Sequence, residues 1–250
     1  MNRRRFIARS AMATLGIMAS GCIREQKVKL QKNQVIGCFG DSITAMGNGY
    51  VQMLQTEYDS LYPDLKLRFL NYGKSSETVT GLTEEIHPGP RPYLFERLDA
   101  ELDKEPIDFA TFCYGINCGI YGKPSQELFD SFKIGVYTFL EKIKQRQIKA
   151  ILLTPPPLAL DIVQKASPEN DSQPYGYLNP YPEYDKEVLQ EFKRIVMNID
   201  HPSCMAKIDI RTPLYEKRAN CYDEDPIHPN TEGHRLIAKT VRESISVQRT

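Results

Sequence analysis

The sequence predicts an α/β fold in which a parallel sheet of about five strands is covered by helices on both faces. Short apolar segments bounded by turn residues alternate with longer segments whose apolar residues recur at helical spacing. Strands that alternate with helices form parallel sheets, because each return crossing passes through a helix on one face. With 250 residues, 41% of them hydrophobic, the chain can build one large core and need not divide into two domains.

Five segments are typical of buried strands, since each is short, apolar and closed by turn residues. They cover residues 33–40, 65–73, 107–115, 149–157 and 205–211. Five further segments have the spacing of an amphipathic helix. They cover residues 50–58, 91–104, 126–144, 183–198 and 230–245. Pro92 fits the first turn of the second helix, and Asn230 is the expected N-cap of the last.

The charge balance argues against a nucleic-acid-binding protein. The formal net charge is zero, but residues 1–21 hold four arginines and no acidic residue, so the remainder has 28 basic and 32 acidic residues. A nucleic-acid-binding protein is usually basic. No 18-residue apolar run and no period of 20–50 residues occurs, so we expect neither a membrane-spanning helix nor a repeat protein.

The first 22 residues are expected to form an export signal, because an arginine-rich start precedes a short apolar stretch that ends in small residues. The start, NRRRFI, resembles a twin-arginine signal. ASGC resembles a bacterial lipobox with Cys22 as the lipidated residue, although Ala19 stands where leucine is more usual. We expect a periplasmic or cell-surface protein; a cleaved signal with an incidental cysteine is the alternative to the anchor. Residues 23–32 are expected to be a polar tether, and 33–250 the folded domain.

Four of the other five cysteines form two groups. Cys38 and Cys113 lie in apolar segments and are expected to be reduced core residues. Cys204 and Cys221 could form a disulfide in an oxidising compartment, which their spacing alone does not decide. No Cys/His spacing matches a zinc site.

Polar residues follow the first three predicted strands at the points where these strands end. Ser42 follows the first strand, Asn71 and Gly73 end the second, and residues 115–117 follow the third. Ligands of open parallel sheets bind outside the carboxyl ends of the strands. We therefore expect these residues at one rim, with Ser42 a candidate nucleophile, although most serines after a strand are turn residues or helix caps.

A serine nucleophile needs a base to take its proton and a carboxylate to orient that base. The segment YDEDPIHPN supplies both in Asp225 and His228, which are three residues apart and would share one side of a helical turn. Acyl transfer also needs donors for the charge on the carbonyl oxygen. The candidates are the N–H groups of Ser42 and Gly73 and the side-chain amide of Asn117, which donates without adding charge.

Four stretches resemble the sequence blocks of the SGNH hydrolases, also called GDSL esterases or lipases. They are GDSIT (40–44), NYGKSSETVTGL (71–82), YGIN (114–117) and DPIHPN (225–230), and the similarity spans about residues 33–245. The resemblance implies a three-layer, flavodoxin-like α/β/α fold. It assigns Ser42 as nucleophile, His228 as general base and Asp225 as its orienter. Ser42, Gly73 and Asn117 would form the oxyanion hole.

One position departs from the family pattern. The third block usually reads G-x-N-D, and here Cys118 replaces the aspartate. The missing carboxylate would help to hold the loop that aims Asn117, so the hole could be looser. Cys118 is also a conceivable rival thiol nucleophile, although no histidine stands beside it in the sequence.

The resemblance implies ester hydrolysis through an acyl-enzyme, without a metal or a cofactor. Carbohydrate O-deacetylation is favoured, because the family includes many such enzymes and exported lipoproteins often act on polysaccharide. Four tyrosines of one proline-rich loop could stack on sugar rings or simply pack the loop: Tyr175, Tyr177, Tyr181 and Tyr184. The alternatives are a lysophospholipase or thioesterase, or a catalytically weak glycan-binding protein. The oligomeric state is left open.

Overall fold

The computed structural model describes residues 28–163 and 174–248. Its strands are β1 (Lys29–Leu30), β2 (Val35–Gly40), β3 (Arg68–Gly73), β4 (Phe109–Cys113), β5 (Lys149–Leu153), β6 (Cys204–Ile208) and β7 (Ser246–Val247). Five of them form a central parallel sheet with the order β3-β2-β4-β5-β6. All five predicted strands are present, so the predicted α/β fold is confirmed.

Two pairs of helices cover the sheet, and the described residues form eight α-helices in all. They are α1 (Ser42–Ala45), α2 (Tyr50–Leu61), α3 (Leu98–Leu102), α4 (Gln126–Lys144), α5 (Gln190–Met197), α6 (Arg211–Glu216), α7 (Arg218–Cys221) and α8 (Thr231–Ser244). α2 packs against α8, and α4 packs against α5. Phe132 on α4 stacks on Phe192 on α5 with 3.9 Å between ring centroids. The edge of Phe139, also on α4, meets Phe39 of β2.

The register of the central strands brings their carboxyl ends to one rim. Gly40, the last residue of β2, pairs with Gly73 of β3 on one side and with Cys113 of β4 on the other. The segments that follow these three strands therefore leave the sheet side by side. β2 itself is almost fully buried, as expected of a central strand covered on both faces.

The predicted tether is shorter than expected, because part of it belongs to the fold. Lys29–Leu30 pairs with Ser246–Val247, and Val28 and Leu30 are buried while Lys29 is exposed. This alternation is that of a strand with one covered face, and the domain therefore starts before residue 33. Residues 1–27, with the expected export signal, Cys22 and the rest of the tether, lie outside the described residues.

The predicted helix over residues 91–104 is interrupted. Thr78 forms a bridge with Tyr93, and the Thr78 N–H donates to the Pro92 carbonyl. This pairing holds the start of the segment extended, so only a 3-10 turn at Leu94–Glu96 and the short α3 remain helical. The sequence patterns also miss α6 and α7, since one or two turns are too short to show a helical period.

The cysteines of the described region are all free thiols. Cys38 and Cys113 are buried in the core, as expected. Cys204 in β6 and Cys221 in α7 are not joined, so the possible disulfide is not formed. None of the helices in residues 28–163 and 174–248 is long and apolar enough to span a membrane.

Candidate active site

Ser42 lies at the rim because β2 ends in a tight junction with α1. An added Cβ at Gly40 would lie 1.9 Å from Thr44 Oγ1, so only glycine fits at the end of the strand. Asp41 caps α1, and its Oδ1 accepts the Ile43 N–H at 3.1 Å. Burial raises the pKa of the Asp41 carboxyl to about 7, although the Ile43 N–H works in the opposite direction. The junction thus holds Ser42 as the first helical residue, with its side chain at the cleft.

Ser42, His228 and Asp225 form one chain of hydrogen bonds. Ser42 Oγ lies 2.8 Å from His228 Nε2, and His228 Nδ1 lies 2.6 Å from Asp225 Oδ2. Burial favours the neutral form of Asp225, but hydrogen bonds from His228 and from the Ile227 N–H outweigh it and lower its pKa to about 2. The ionised carboxylate requires a proton on Nδ1, which leaves Nε2 to accept the Ser42 hydroxyl proton.

Asn230 positions the loop that carries Asp225 and His228. Its Oδ1 accepts the N–H groups of Glu232 and Gly233, and so it caps α8 as predicted. Its Nδ2 donates to the Asn220 carbonyl and to Asp223 Oδ1, and its own N–H donates to the Cys221 carbonyl. One side chain therefore joins α7, the loop and α8.

The side chain of Asn117 is fixed at the same rim. Tyr121 Oη donates to Asn117 Oδ1 at 2.9 Å, and Asn117 Nδ2 lies 3.4 Å from the Glu77 carbonyl. Because Oδ1 is occupied as an acceptor, the orientation of the amide is set, and Asn117 lines the cleft with Ser42 and His228.

The prediction that the Gly73 N–H serves as an oxyanion donor is wrong. This N–H donates to Asn71 Oδ1 at 2.9 Å, and Asn71 Nδ2 donates to the Thr44 carbonyl. An added Cβ at Gly73 would lie 2.2 Å from the Ala45 nitrogen. Gly73 is therefore required for the close approach of β3 to α1, and it is not among the residues that line the cleft.

Ser76, and not Gly73, lies at the cleft among the residues that follow β3. It lies in the turn after β3, lines the cleft and has a left-handed backbone with φ +63°. No residue of the described part of the chain accepts a hydrogen bond from its N–H. This position could not be predicted from the sequence, because a serine in the left-handed region is uncommon.

The cleft beside Ser42 has a volume of about 280 Å³. Its described lining consists of Ser42, Ser75, Ser76, His87, Pro88, Arg91, Asn117, Tyr121, Tyr177, Ile227 and His228. Of the four tyrosines predicted as a sugar platform, Tyr177 alone lines it. Tyr184 is fully buried, Tyr181 donates to Glu187, and Tyr175 packs against Tyr181. Within the described ranges, no three His, Cys, Asp or Glu side chains are grouped to hold a metal ion.

Cys118 is a core residue and not a second nucleophile. It is fully buried, and its Sγ accepts the Val79 N–H at 3.5 Å. Burial raises the pKa of the thiol far above its ordinary value, so the reactive thiolate does not form. Cys118 stands where the family pattern has an aspartate. The contact between its Sγ and Val79 ties the Asn117 loop to the segment after β3.

Known proteins share the fold of this chain. The sequence profile of the GDSL-like lipase/acylhydrolase family matches residues 38–236. No curated protein sequence matches the chain. A catalytic variant of Axe2, an acetylxylan esterase from Geobacillus stearothermophilus, superposes with a TM-score of 0.64 at 19% identity over 89% of this chain and 100% of the other. LAE5, an α/β hydrolase from the metagenome of Lake Arreo, Spain, superposes with a TM-score of 0.59 at 18% identity over 86% and 95%. At these identities the structural similarity shows a shared fold. The profile match shows that the chain belongs to the GDSL-like lipase/acylhydrolase family.

Proposed function

We propose that this protein is a serine esterase that removes acetyl groups from carbohydrate. The observation that carries the proposal is the hydrogen-bonded chain from Ser42 through His228 to Asp225, at 2.8 and 2.6 Å. Solved catalytic variants of Axe2 replace a serine, an aspartate and a histidine, the last two three residues apart, which is the spacing of Asp225 and His228.

The reaction follows from the roles of these groups. Ser42 Oγ attacks the ester carbonyl carbon while His228 Nε2 takes the hydroxyl proton, and Asp225 stabilises the resulting imidazolium. The tetrahedral intermediate collapses, and the alcohol leaves with the proton from His228. A water molecule then attacks the acyl carbon and gives one proton to His228. The second tetrahedral intermediate breaks its bond to Ser42 Oγ, which takes this proton back from His228, and the acid is released.

Three donors are available for the oxyanion. They are the N–H of Ser42 at the start of α1, the N–H of Ser76 and the side-chain amide of Asn117. Donors held in place before the reaction stabilise the negative charge without reorganisation. In this proposal Ser76 replaces Gly73 as the second donor.

The shape of the cleft supports a small acyl group on a sugar. A volume of about 280 Å³ suits an acetyl group, and only Pro88 and Ile227 of the described lining residues are aliphatic. A long fatty-acyl chain would need an apolar channel, which argues against a lysophospholipase. His87 and Tyr177 meet edge to face at the cleft with 6.0 Å between ring centroids. Such aromatic groups offer a surface on which a sugar ring can pack.

The proposal is tested with residues 23–250 by measuring rates of hydrolysis. The substrates are p-nitrophenyl acetate, butyrate and octanoate, and acetylated xylooligosaccharides. We expect the rate to fall as the acyl chain lengthens, and the acetylated sugar to be deacetylated. Ser42→Ala should abolish turnover, while Ser60→Ala, an exposed serine on α2, serves as the matched control. Fastest turnover of octanoate would favour a lipid substrate. Glycan binding without hydrolysis would favour the binding protein.

We also propose that the protein is exported and anchored through a lipid on Cys22. The arginine-rich start and the ASGC stretch support this. After expression of the full chain in a bacterium, mass spectrometry should find the lipid on Cys22, and Cys22→Ser should move the protein from the membrane fraction to the soluble fraction. An unmodified Cys22 in the exported protein, or cleavage beyond it, would contradict the anchor.

A further inference from the structure

The segment that follows the turn containing Ser76 carries a deeply buried ion pair. Arg91 donates from Nε and Nη2 to the two carboxylate oxygens of Glu84, at 2.6 and 2.5 Å. The side chains are 2% and 1% exposed. Two charges buried to this degree are tolerated only when both are hydrogen-bonded in good geometry. The parallel fork of an arginine on a carboxylate meets that requirement and fixes the plane of the guanidinium.

The third nitrogen of this guanidinium contacts the turn that contains Ser76. Arg91 Nη1 donates to the Ser76 carbonyl at 3.2 Å. Ser76 is in the left-handed region, which is costly for a residue with a Cβ and persists only where the surroundings impose it. The hydrogen bond from Arg91 holds the Ser76 carbonyl and thereby the orientation of the turn. The direction of the Ser76 N–H depends on that orientation.

The same guanidinium also contacts the side chain that orients Asn117. The Arg91 Cζ lies 5.6 Å from the centroid of the Tyr121 ring, within the range of a cation–π contact. Tyr121 is 1% exposed, and its hydroxyl donates to Asn117 Oδ1. One charged group therefore contacts both the Ser76 turn and the Tyr121–Asn117 pair.

We propose that Arg91, held by Glu84, is a positioning residue that aligns the Ser76 and Asn117 donors of the oxyanion hole. This inference rests on the proposed esterase function and deepens it. Arg91 acts through the Ser76 carbonyl and through Tyr121 and takes no part in bond making. Glu84 extends the same framework to the outer wall of the cleft, where its Oε1 accepts the Tyr177 N–H at 3.4 Å.

The test compares kcat and KM for p-nitrophenyl acetate in the full-length protein and in Arg91→Lys, which keeps the charge and loses the fork. Loss of one oxyanion donor costs about 100- to 1000-fold in kcat. Misalignment of two donors without their removal is expected to lower kcat on the order of 10- to 100-fold. KM should stay within about threefold, because interactions made only in the transition state act on kcat.

Arg211→Lys is the matched control. Arg211 is 3% exposed and pairs with Asp185 at 2.6 Å, and neither residue lines the cleft. Both lysine variants should lower the melting temperature, but the control should keep the wild-type kcat per folded molecule. A merely structural role for Arg91 would give the same result as the control.

Tyr121→Phe provides a second arm should Arg91→Lys not fold, since it removes only the hydroxyl that holds Asn117. It is expected to lower kcat with little change in KM, and a wild-type kcat in Tyr121→Phe would overturn the positioning role. Where Arg91→Lys folds, the two losses in the double variant should combine to less than their product. A wild-type kcat in Arg91→Lys, or fully multiplicative losses, would overturn the positioning role while the esterase function stands. A wild-type protein that hydrolyses no ester would overturn both.

Discussion

At the scale of single residues, the charge of Asp225 decides how His228 can act. The carboxylate is half-exposed, yet hydrogen bonds from His228 and Ile227 keep its pKa at about 2, so it is ionised throughout the neutral range. The ion fixes the imidazole tautomer that can accept the Ser42 proton. The hydrogen bonds from His228 and Ile227 also stabilise the folded loop above the ordinary carboxyl pKa, and this contribution is lost as the pH falls toward 2.

Asp225→Asn is expected to keep the fold and lower kcat by on the order of 100- to 10,000-fold, because the amide permits the wrong imidazole tautomer. The melting temperature should change little, since the side chain is 45% exposed. Steady-state kinetics beside a thermal melt checks this. A variant that retains more than about a third of the wild-type kcat would show that His228 does not depend on this carboxylate.

Gly73→Ala is expected to destabilise the protein by about 1–3 kcal/mol or more, the usual cost of overpacking. The new Cβ would lie 2.2 Å from the Ala45 nitrogen, and backbone cannot move aside as a side chain can. Gly47→Ala is the control, because no atom lies within 4 Å of its added Cβ. Urea unfolding measures both. Equal stabilities would contradict the packing role.

Gly73 and Ser76 show which kind of site residue could not be predicted from the sequence. The roles of Ser42, Asp225 and His228 could be predicted because their side chains carry out the chemistry. Their residue types and spacing are therefore visible in the sequence. The Ser42 and Ser76 donors are backbone N–H groups, which every residue type except proline supplies. The sequence favoured a glycine for close approach, whereas the turn after β3 places a serine with positive φ at the cleft.

At the scale of elements, α8 is joined to α2 by a buried histidine. His234 is 3% exposed, and its Nδ1 accepts the Tyr50 N–H at 3.2 Å. Its Nε2 is buried and has no hydrogen-bond partner among the described residues. Burial, assisted by the nearby His228, lowers the pKa of His234 to about 4. The helix was predicted from its apolar period and its Asn230 cap, but this contact joins residues too distant in sequence to be predicted.

The folded protein should therefore lose stability as the pH falls from about 6.5 to about 4. In this window the unfolded chain binds a proton at His234 that the folded chain excludes, which corresponds to at most about 3 kcal/mol. Urea unfolding near pH 7 and near pH 4.5 should show a larger loss for the wild type than for His234→Gln. Asp41, whose pKa is raised to about 7, contributes to the pH dependence of stability with the opposite sign. This contribution cancels in the comparison because both proteins contain Asp41. Equal losses in the two proteins would contradict the account.

At the scale of the whole molecule, the central sheet was predictable and the closure of the chain ends was not. Each central strand is a short apolar segment between turns, so its burial is visible locally. β1 and β7 have two residues each, and their register pairs Lys29 with Ser246. Two paired residues are too few to produce a periodic hydrophobic pattern in the sequence. The pairing also leaves five residues between position 22 and Val28, so these two positions are at most about 22 Å apart.

Deletion of residues 1–30 is therefore expected to lower the free energy of unfolding by about 2–4 kcal/mol relative to deletion of residues 1–27, because Val28 and Leu30 leave the core. Both truncated proteins keep every residue of the candidate site. Urea unfolding of the pair makes the comparison. Matching midpoints would show that β1 adds nothing to the domain.

The central claim is that Ser42 forms the acyl-enzyme, and rapid-quench mass spectrometry tests it most directly. The protein is mixed with p-nitrophenyl acetate, stopped in acid within the first turnovers, digested and mapped. We predict a transient acetyl group on the peptide that contains Ser42, absent from Ser42→Ala and longer-lived in Asp225→Asn. Hydrolysis with the acetyl group on another residue, or sustained turnover by Ser42→Ala, would contradict the account.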